Sequence, residues 1–248
     1  MKNRFLNFPN LPQNNVTAVI SAPDDSLKDF LSSRQINVIE TAQNCFLESP
    51  VAFHADMLVH HLCDKSFIVD IEQKDIISYL RNNGANVLLT ENVKSPYPYD
   101  CSLNCADIGD YLICNSKVTD PDILAKNKHL INVKQGYAKC SICVVSKNKF
   151  ITDDISVFNA VSEYDDITSL LVEKGSVAIE KFDYGFIGGC SGLIEKNLLL
   201  FNGDLSLHSD YNNIRSFLYD NGISYLDIKG KPLTDIGGII PIMEMEDN

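Results

Sequence analysis

His54 and Asp56, two residues apart, are a pair whose types suit acid–base chemistry. Side chains alternate along a strand, so an extended segment here puts both on one face, where the carboxylate raises the basicity of the imidazole. Candidate nucleophiles are two thiols. Cys140 follows Lys139, and Cys190 lies in the glycine-rich run Gly188-Gly189-Cys190-Ser191-Gly192, where a ligand gains close access. Either thiol needs a neighbouring base or cation to become a thiolate, and Lys139 next to Cys140 on a strand would point the opposite way. The plain alternative for Cys190 is a small residue filling a crowded position. Asp107 and Asp235 add carboxylates of the kind that pair with a cation. Turn capping accounts for these aspartates equally well, because Asp bonds local backbone N–H groups readily.

These residues recur at one kind of place. Gly188–Ser191, Leu193–Leu200 and Asp204 read as a small-residue turn, an apolar strand, a Lys196-Asn197 bend, a second strand and a closing Asp. The same order follows His54-Ala55-Asp56, Ala106-Asp107 and Ala138-Lys139-Cys140. From opening to closing residue the intervals are 14 (56 to 70), 13 (107 to 120), 14 (139 to 153) and 14 (190 to 204). Constant intervals mark repeated supersecondary units. After each closing Asp comes a helix-like stretch and another apolar strand. These are Ile71–Arg81 then Ala85–Thr90, Pro121–Lys128 then His129–Val133, Ser156–Glu173 then Val177–Phe182, and Asp210–Tyr219 then Ile223–Ile228. The closing set Asp24, Asp70, Asp120, Asp153 and Asp204 reads as helix caps or turn residues.

The ends supply a fifth unit. Thr234–Met243 reads as an opening turn and first strand, and Val16–Ile20, Leu27–Ser32 and Ile36–Glu40 as the remaining strand, helix and strand. The expected architecture is α/β: five ββαβ units, at 232–243 plus 14–41, 54–90, 104–133, 137–182 and 187–228, in one domain. Pairing of the N- and C-terminal strands closes the ring and leaves no exposed sheet edge. No Ser/Gly/Pro-rich linker interrupts the repeats. Val93–Leu103, with Ser95-Pro96-Tyr97-Pro98-Tyr99, is a surface connection or a lid over the mouth of the ring.

A single chain built as a five-fold ring of ββαβ units resembles the pentein, or guanidine-modifying-enzyme, superfamily. Its members include arginine deiminase, agmatine deiminase, dimethylarginine dimethylaminohydrolase and the amidinotransferases, and this chain looks most like a bacterial branch apart from those enzymes. The resemblance spans roughly residues 14–243. It implies a propeller whose opening turns and first strands line a central channel, so that His54, Asp56, Asp107, Lys139, Cys140, Cys190, Ser191 and Asp235 face it. The superfamily's nucleophilic Cys and its His fall near Ile239 or Ile240 and near Gly189-Cys190-Ser191, where neither residue type needed is found. The expectation is therefore a binder of a small guanidino or amino cation, anchored by Asp56, Asp107 and Asp235 with Lys139, Cys140 and Ser191 nearby. The alternatives are a divergent amidinohydrolase or deiminase, using Cys190 or Cys140 as nucleophile with His54 and Asp56, and a protein-interaction scaffold.

A formal charge of −12 argues against general nucleic-acid or anionic-membrane partners. The N-terminus lacks an apolar signal region and no 18-residue apolar run occurs, so a cytoplasmic monomer or homodimer is expected. No cofactor is expected, and no metal. Cys140-Ser141-Ile142-Cys143 has the spacing of a knuckle but sits on an expected strand, and Cys101, Cys105 and Cys114 lack a second CxxC and a suitable His. Most of the eight cysteines are expected to be buried and reduced. His60 shares the expected face of His54 and Asp56, and is read as a core residue.

Overall fold

The computed structural model describes residues 2–126 and 128–246. In chain order β1 (Asn3–Phe5), β2 (Val16–Ser21), α1 (Asp25–Ser33) and β3 (Asn37–Glu40) are followed by α2 (Ala55–Leu58), β4 (Val59–Cys63), β5 (Ser66–Asp70), α3 (Lys74–Asn82) and β6 (Asn86–Thr90). Next come β7 (Ala106–Asp107), β8 (Tyr111–Cys114), α4 (Pro121–Leu124) and β9 (His129–Asn132), then β10 (Ile142–Ser146), β11 (Lys149–Thr152), α5 (Ile155–Val161) and β12 (Thr168–Leu171). The remainder is β13 (Val177–Ala178), β14 (Ser191–Glu195), β15 (Leu198–Phe201), α6 (Tyr211–Asp220), β16 (Ser224–Asp227), β17 (Leu233–Thr234) and β18 (Ile240–Met245).

Five of the six sheets among the described residues share one pattern, an antiparallel pair whose second strand takes a parallel neighbour after a helical crossover; the sixth is the two-stranded parallel pair β13–β17. Apolar side chains drive the hairpins together, and residues that tolerate φ > 0 turn them, Asp64 at +46° and Asn148 at +57°. Three hairpins carry a register shift at the same place, skipping Leu62, Val145 and Ile194. All three of those side chains are buried, so the bulge adds an apolar group to the core. The crossover helices pack an apolar stripe onto the sheets, for example Ile76, Ile77 and Leu80 of α3. Gly84 (φ +85°) and Gly222 (φ +69°) follow α3 and α6 in the left-handed conformation that ends a helix. The first strands of neighbouring units lie together, β10 beside β14 and β14 beside β18. β18 pairs antiparallel with both β2 and β1.

Four local expectations are corrected. The segment from His54 is not extended: Ala55–Leu58 is one turn of helix with His54 at its N-cap, so alternation does not set the relation of His54 to Asp56. Cys140 likewise precedes β10 in a turn, and only Cys143 is on the strand. The helix expected over Ser156–Glu173 stops at Val161. Tyr164 packs edge-on against Tyr111, and Asp166 accepts hydrogen bonds from Tyr111 Oη (2.8 Å) and Asn148 Nδ2 (3.2 Å), which pulls the chain back into an extended strand at Thr168. The parallel partner of β11 is therefore β12, while β13 joins β17. Among the closing aspartates, Asp24, Asp120 and Asp204 cap and Asp70 closes a turn by accepting from Glu72 N–H (3.1 Å), as expected; Asp153 instead accepts from the distant Ile187 N–H (2.8 Å), and the caps of α3 and α5 are Gln73 and Asp154. The short stretch Pro121–Lys128 forms the single helical turn Pro121–Leu124, within the one or two turns its length allows, and Asn127 lies outside the described residues. Among the described residues no helix is long and apolar enough to cross a membrane.

Candidate functional site

Asp235 enters the site from the loop after β17. Its backbone N–H donates to Ala178 O (2.8 Å), and Ile236 and Gly238 N–H donate to Gly189 O (2.9 and 2.8 Å). Its carboxylate is fixed by two backbone donors, Gly237 N–H to Oδ1 (3.0 Å) and Phe186 N–H to Oδ2 (2.9 Å). Gly237 sits at φ +72°, and a Cβ there would collide with His54 and Ala55. The one-turn helix α2 docks at that opening, with Asp56 N–H donating to Gly237 O (3.0 Å). Residues far apart in sequence are thereby brought together: His54 Nδ1 is 3.7 Å from Asp235 Oδ1.

Cys140 reaches the same place from the turn before β10. Asn104 Oδ1 accepts from the N–H groups of Lys139 (2.7 Å) and Cys140 (3.3 Å), and Asn104 Nδ2 donates to Cys140 Sγ (3.3 Å). The thiol in turn donates to Asp56 Oδ2 at 2.8 Å. Donor atoms of His54, Cys140 and Asp235 all lie within 4.8 Å of one another, the type of set that could hold a metal ion. The three line a cavity of about 280 Å³ whose walls include Tyr137, Phe182, Tyr184 and Phe186. Asp56 stands behind Cys140, on the side of a much smaller gap it shares with His60 and Lys139.

Little water reaches the floor: His54, Asp56, Cys140 and Asp235 are all buried. Burial pushes the Asp56 carboxyl up to about 6, against the opposing pull of His54 and Lys139. Burial, followed by the carboxylates of Asp56 and Asp235, holds the Cys140 thiol well above its ordinary range, so the sulfur is protonated at neutral pH. Two polar atoms of this floor, His54 Nδ1 and Asp56 Oδ1, are buried without a hydrogen-bond partner among the described residues.

The remaining sequence candidates lie elsewhere. Asp107 pairs with Lys128 Nζ and accepts from Gly109 N–H (3.1 Å). Cys190 is wholly buried in an apolar cluster and donates to Ile187 O (3.3 Å), while Ser191 Oγ donates to the same carbonyl (3.0 Å). The glycines around them serve packing. A Cβ on Gly188 would strike the Ile142 backbone, and one on Gly192 the Ile239 backbone. Lys139 is buried beside Asp56, away from the large cavity. His60 is buried and neutral, its pKa lowered to about 3, chiefly by burial. The Val93–Leu103 segment flanks the site, with Tyr97 packing at 5.2 Å on Tyr137. Sequence reasoning missed the aromatic wall and Asn104. The alternation Phe182-Asp183-Tyr184-Gly185-Phe186 was a usable signal for the wall, whereas nothing marks Asn104 before the turn at Cys140 is seen to lean on it.

Solved structures similar to the chain share one fold. They include an inosamine-phosphate amidinotransferase of Streptomyces griseus, 10% identical, covering 98% of each chain with a TM-score of 0.60. An amidinotransferase of the saxitoxin biosynthetic pathway of Microseira wollei is 9% identical, covering 91% of each chain at 0.58. A DDAH from Pseudomonas aeruginosa complexed with citrulline is 12% identical, covering 87% of this chain and 92% of that one at 0.52. The chain has the mixed α/β fold of the pentein, or guanidine-modifying-enzyme, superfamily. Residues 19–240 match the model described as "Family of unknown function (DUF6873)", and the chain belongs to that family. No curated protein matches it.

Proposed function

We propose that the protein binds a small organic cation, of guanidino or amino type, in the cavity above Asp235. The five units close as one ring and one domain, the site stands at the mouth of its central channel, and the superfamily's usual Cys and His positions are vacated. One observation carries the reading: a buried carboxylate forms the floor of a cavity walled by Tyr137, Phe182, Tyr184 and Phe186. A cation leaving water needs a counter-charge and polarisable faces, and this combination supplies both. The wall already attracts a positive group, since Lys174 Nζ lies 5.6 Å from the Tyr184 ring centroid and 5.9 Å from that of Phe186. The two oxygens of Asp235 are held by backbone donors, so the carboxylate is set in place before a guanidinium fork arrives. Asp56 adds negative charge from behind Cys140.

A second reading has one contact in its favour, the Cys140 thiol donating to Asp56 at 2.8 Å. That reading is a divergent amidinohydrolase or deiminase with Cys140 as nucleophile, in which Asp56 takes the thiol proton as Sγ bonds to the guanidinium carbon. The C–N bond then breaks, the amine leaves with a proton, and water hydrolyses the S–C bond.

Calorimetric titration of the full chain with arginine, agmatine and neutral citrulline tests the first reading. The cations are expected to bind at the cavity more tightly than citrulline does there, and Asp235→Asn should weaken them by about 2 kcal/mol or more, roughly 30-fold. Cation affinity should fall as pH drops through about 6, where Asp56 takes up its proton and loses its charge. Affinity unchanged in Asp235→Asn, or no binding by any guanidino or amino compound, would sink the proposal. Release of amine or ammonia from a bound guanidino compound, abolished in Cys140→Ser, is what the second reading requires.

A further inference from the structure

We infer that His54, Cys140 and Asp235 form a three-ligand site for a thiophilic divalent cation, Zn²⁺ being the type, with its fourth position open to the cavity. The donors are an imidazole nitrogen, a sulfur and a carboxylate oxygen, the set that Zn²⁺ takes in sites that keep one position free. For bonds of about 2.0–2.3 Å, tetrahedral donors stand roughly 3.3–3.8 Å apart. His54 Nδ1 and Asp235 Oδ1 are already 3.7 Å apart, and the widest separation in the trio is within 4.8 Å, so a shift of side-chain torsions closes the site. An independent observation points the same way. His54 Nδ1 is buried in a residue only 3% exposed and has no hydrogen-bond partner among the described residues, which is costly for a buried imidazole nitrogen.

The surroundings are those of oriented ligands. Backbone N–H groups of Gly237 and Phe186 hold the Asp235 carboxylate, and Asn104 Nδ2 donates to the Cys140 sulfur at 3.3 Å, as an outer donor to a bound thiolate does. When the ion binds, the S–H bond breaks, sulfur coordinates as thiolate, and the displaced proton leaves by way of Asp56, which already accepts it at 2.8 Å. The three residues come from positions 54, 140 and 235, so no local motif announces the site. Two positive charges on the floor of the cavity would repel an organic cation, so ion and cation exclude each other.

The test uses the full chain freed of metal by chelation and titrated with Co²⁺, then Zn²⁺, under absorption spectroscopy. One equivalent of Co²⁺ should give a thiolate-to-metal charge-transfer band that Zn²⁺ removes. The band should vanish in Cys140→Ser. His54→Gln and Asp235→Asn should each bind at least about tenfold more weakly, while the double variant Cys45→Ser/Cys63→Ser, which removes the accessible thiols, keeps it. In case Cys140→Ser fails to fold, a second measurement on the unaltered protein is alkylation of Cys140 followed by peptide mass spectrometry, where one equivalent of Zn²⁺ should slow labelling at least about tenfold. Absence of the band at stoichiometric Co²⁺, its persistence in Cys140→Ser, or labelling of Cys140 indifferent to Zn²⁺ overturns the inference. Arginine titrated into the metal-free protein separates the two proposals. Binding there without any Zn²⁺ binding leaves only the cation reading standing, and the reverse leaves only the metal site.

Discussion

Gly189 carries no side chain because the carboxylate of Asp235 occupies the place where its Cβ would be. Gly189→Ala should therefore push Asp235 from its two backbone donors, costing about 1–3 kcal/mol of stability and reducing cation affinity alongside. Chemical denaturation and ligand titration of the one variant measure both, and an alanine that leaves stability and affinity intact would show that Asp235 is not held as described. At this scale the sequence revealed part of the site. His54, Asp56, Cys140 and Asp235 are visible because each stands at the opening of the recurring sequence pattern. By the same rule Asp107, Cys190 and Ser191 were candidates. What the rule cannot tell is which opening groups are consumed locally: Asp107 by Lys128, Cys190 and Ser191 by the Ile187 carbonyl. Three rings of the aromatic wall, Phe182, Tyr184 and Phe186, come instead from the connection between β13 and β14, which the repeat does not constrain.

Among the elements, β18 joins the two ends of the described chain by pairing with both β1 and β2, and one buried side chain secures the join. Glu244, 1% exposed, accepts from the backbone N–H groups of Gln13 (2.6 Å) and Asn14 (2.9 Å) and pairs with Arg4 (3.0 Å). Glu244→Ala strands two backbone donors and should cost about 2–4 kcal/mol in urea unfolding; a loss below ~0.5 kcal/mol, the range of neutral surface changes, would contradict this account. The hairpins were legible because apolar runs of strand length flank polar bends at constant intervals. β1 was not, since Asn3-Arg4-Phe5 is too short to carry alternation and becomes a strand only because β18 offers it an edge. The third strand of the β10–β12 sheet was misplaced for a similar reason. Its boundary is set by Tyr111 and Asn148 of neighbouring segments, which act on Tyr164 and Asp166 from outside the local sequence.

For the molecule as a whole, the meeting of the two ends governs its response to force. β18 runs antiparallel to both β1 and β2, with Asn3 opposite Met245 and Val16 opposite Glu244, and Glu246 N–H donates to Lys2 O at 3.0 Å. Tension applied at residues 2 and 246 thus meets the hydrogen bonds one after another, as in a zipper, and never loads a row of them in shear. The expected trace in an optical trap is an early, low-force step that frees β1 and then β18 from β2, followed by separate rupture of the remaining sheets. Handles placed at 2 and 246 would instead record a single high-force event if the ends were locked to the rest. A protein tethered through its ends would accordingly come apart first at its seam, while the cavity floor at Asp235, five residues before β18 begins, would be the next part to feel the pull.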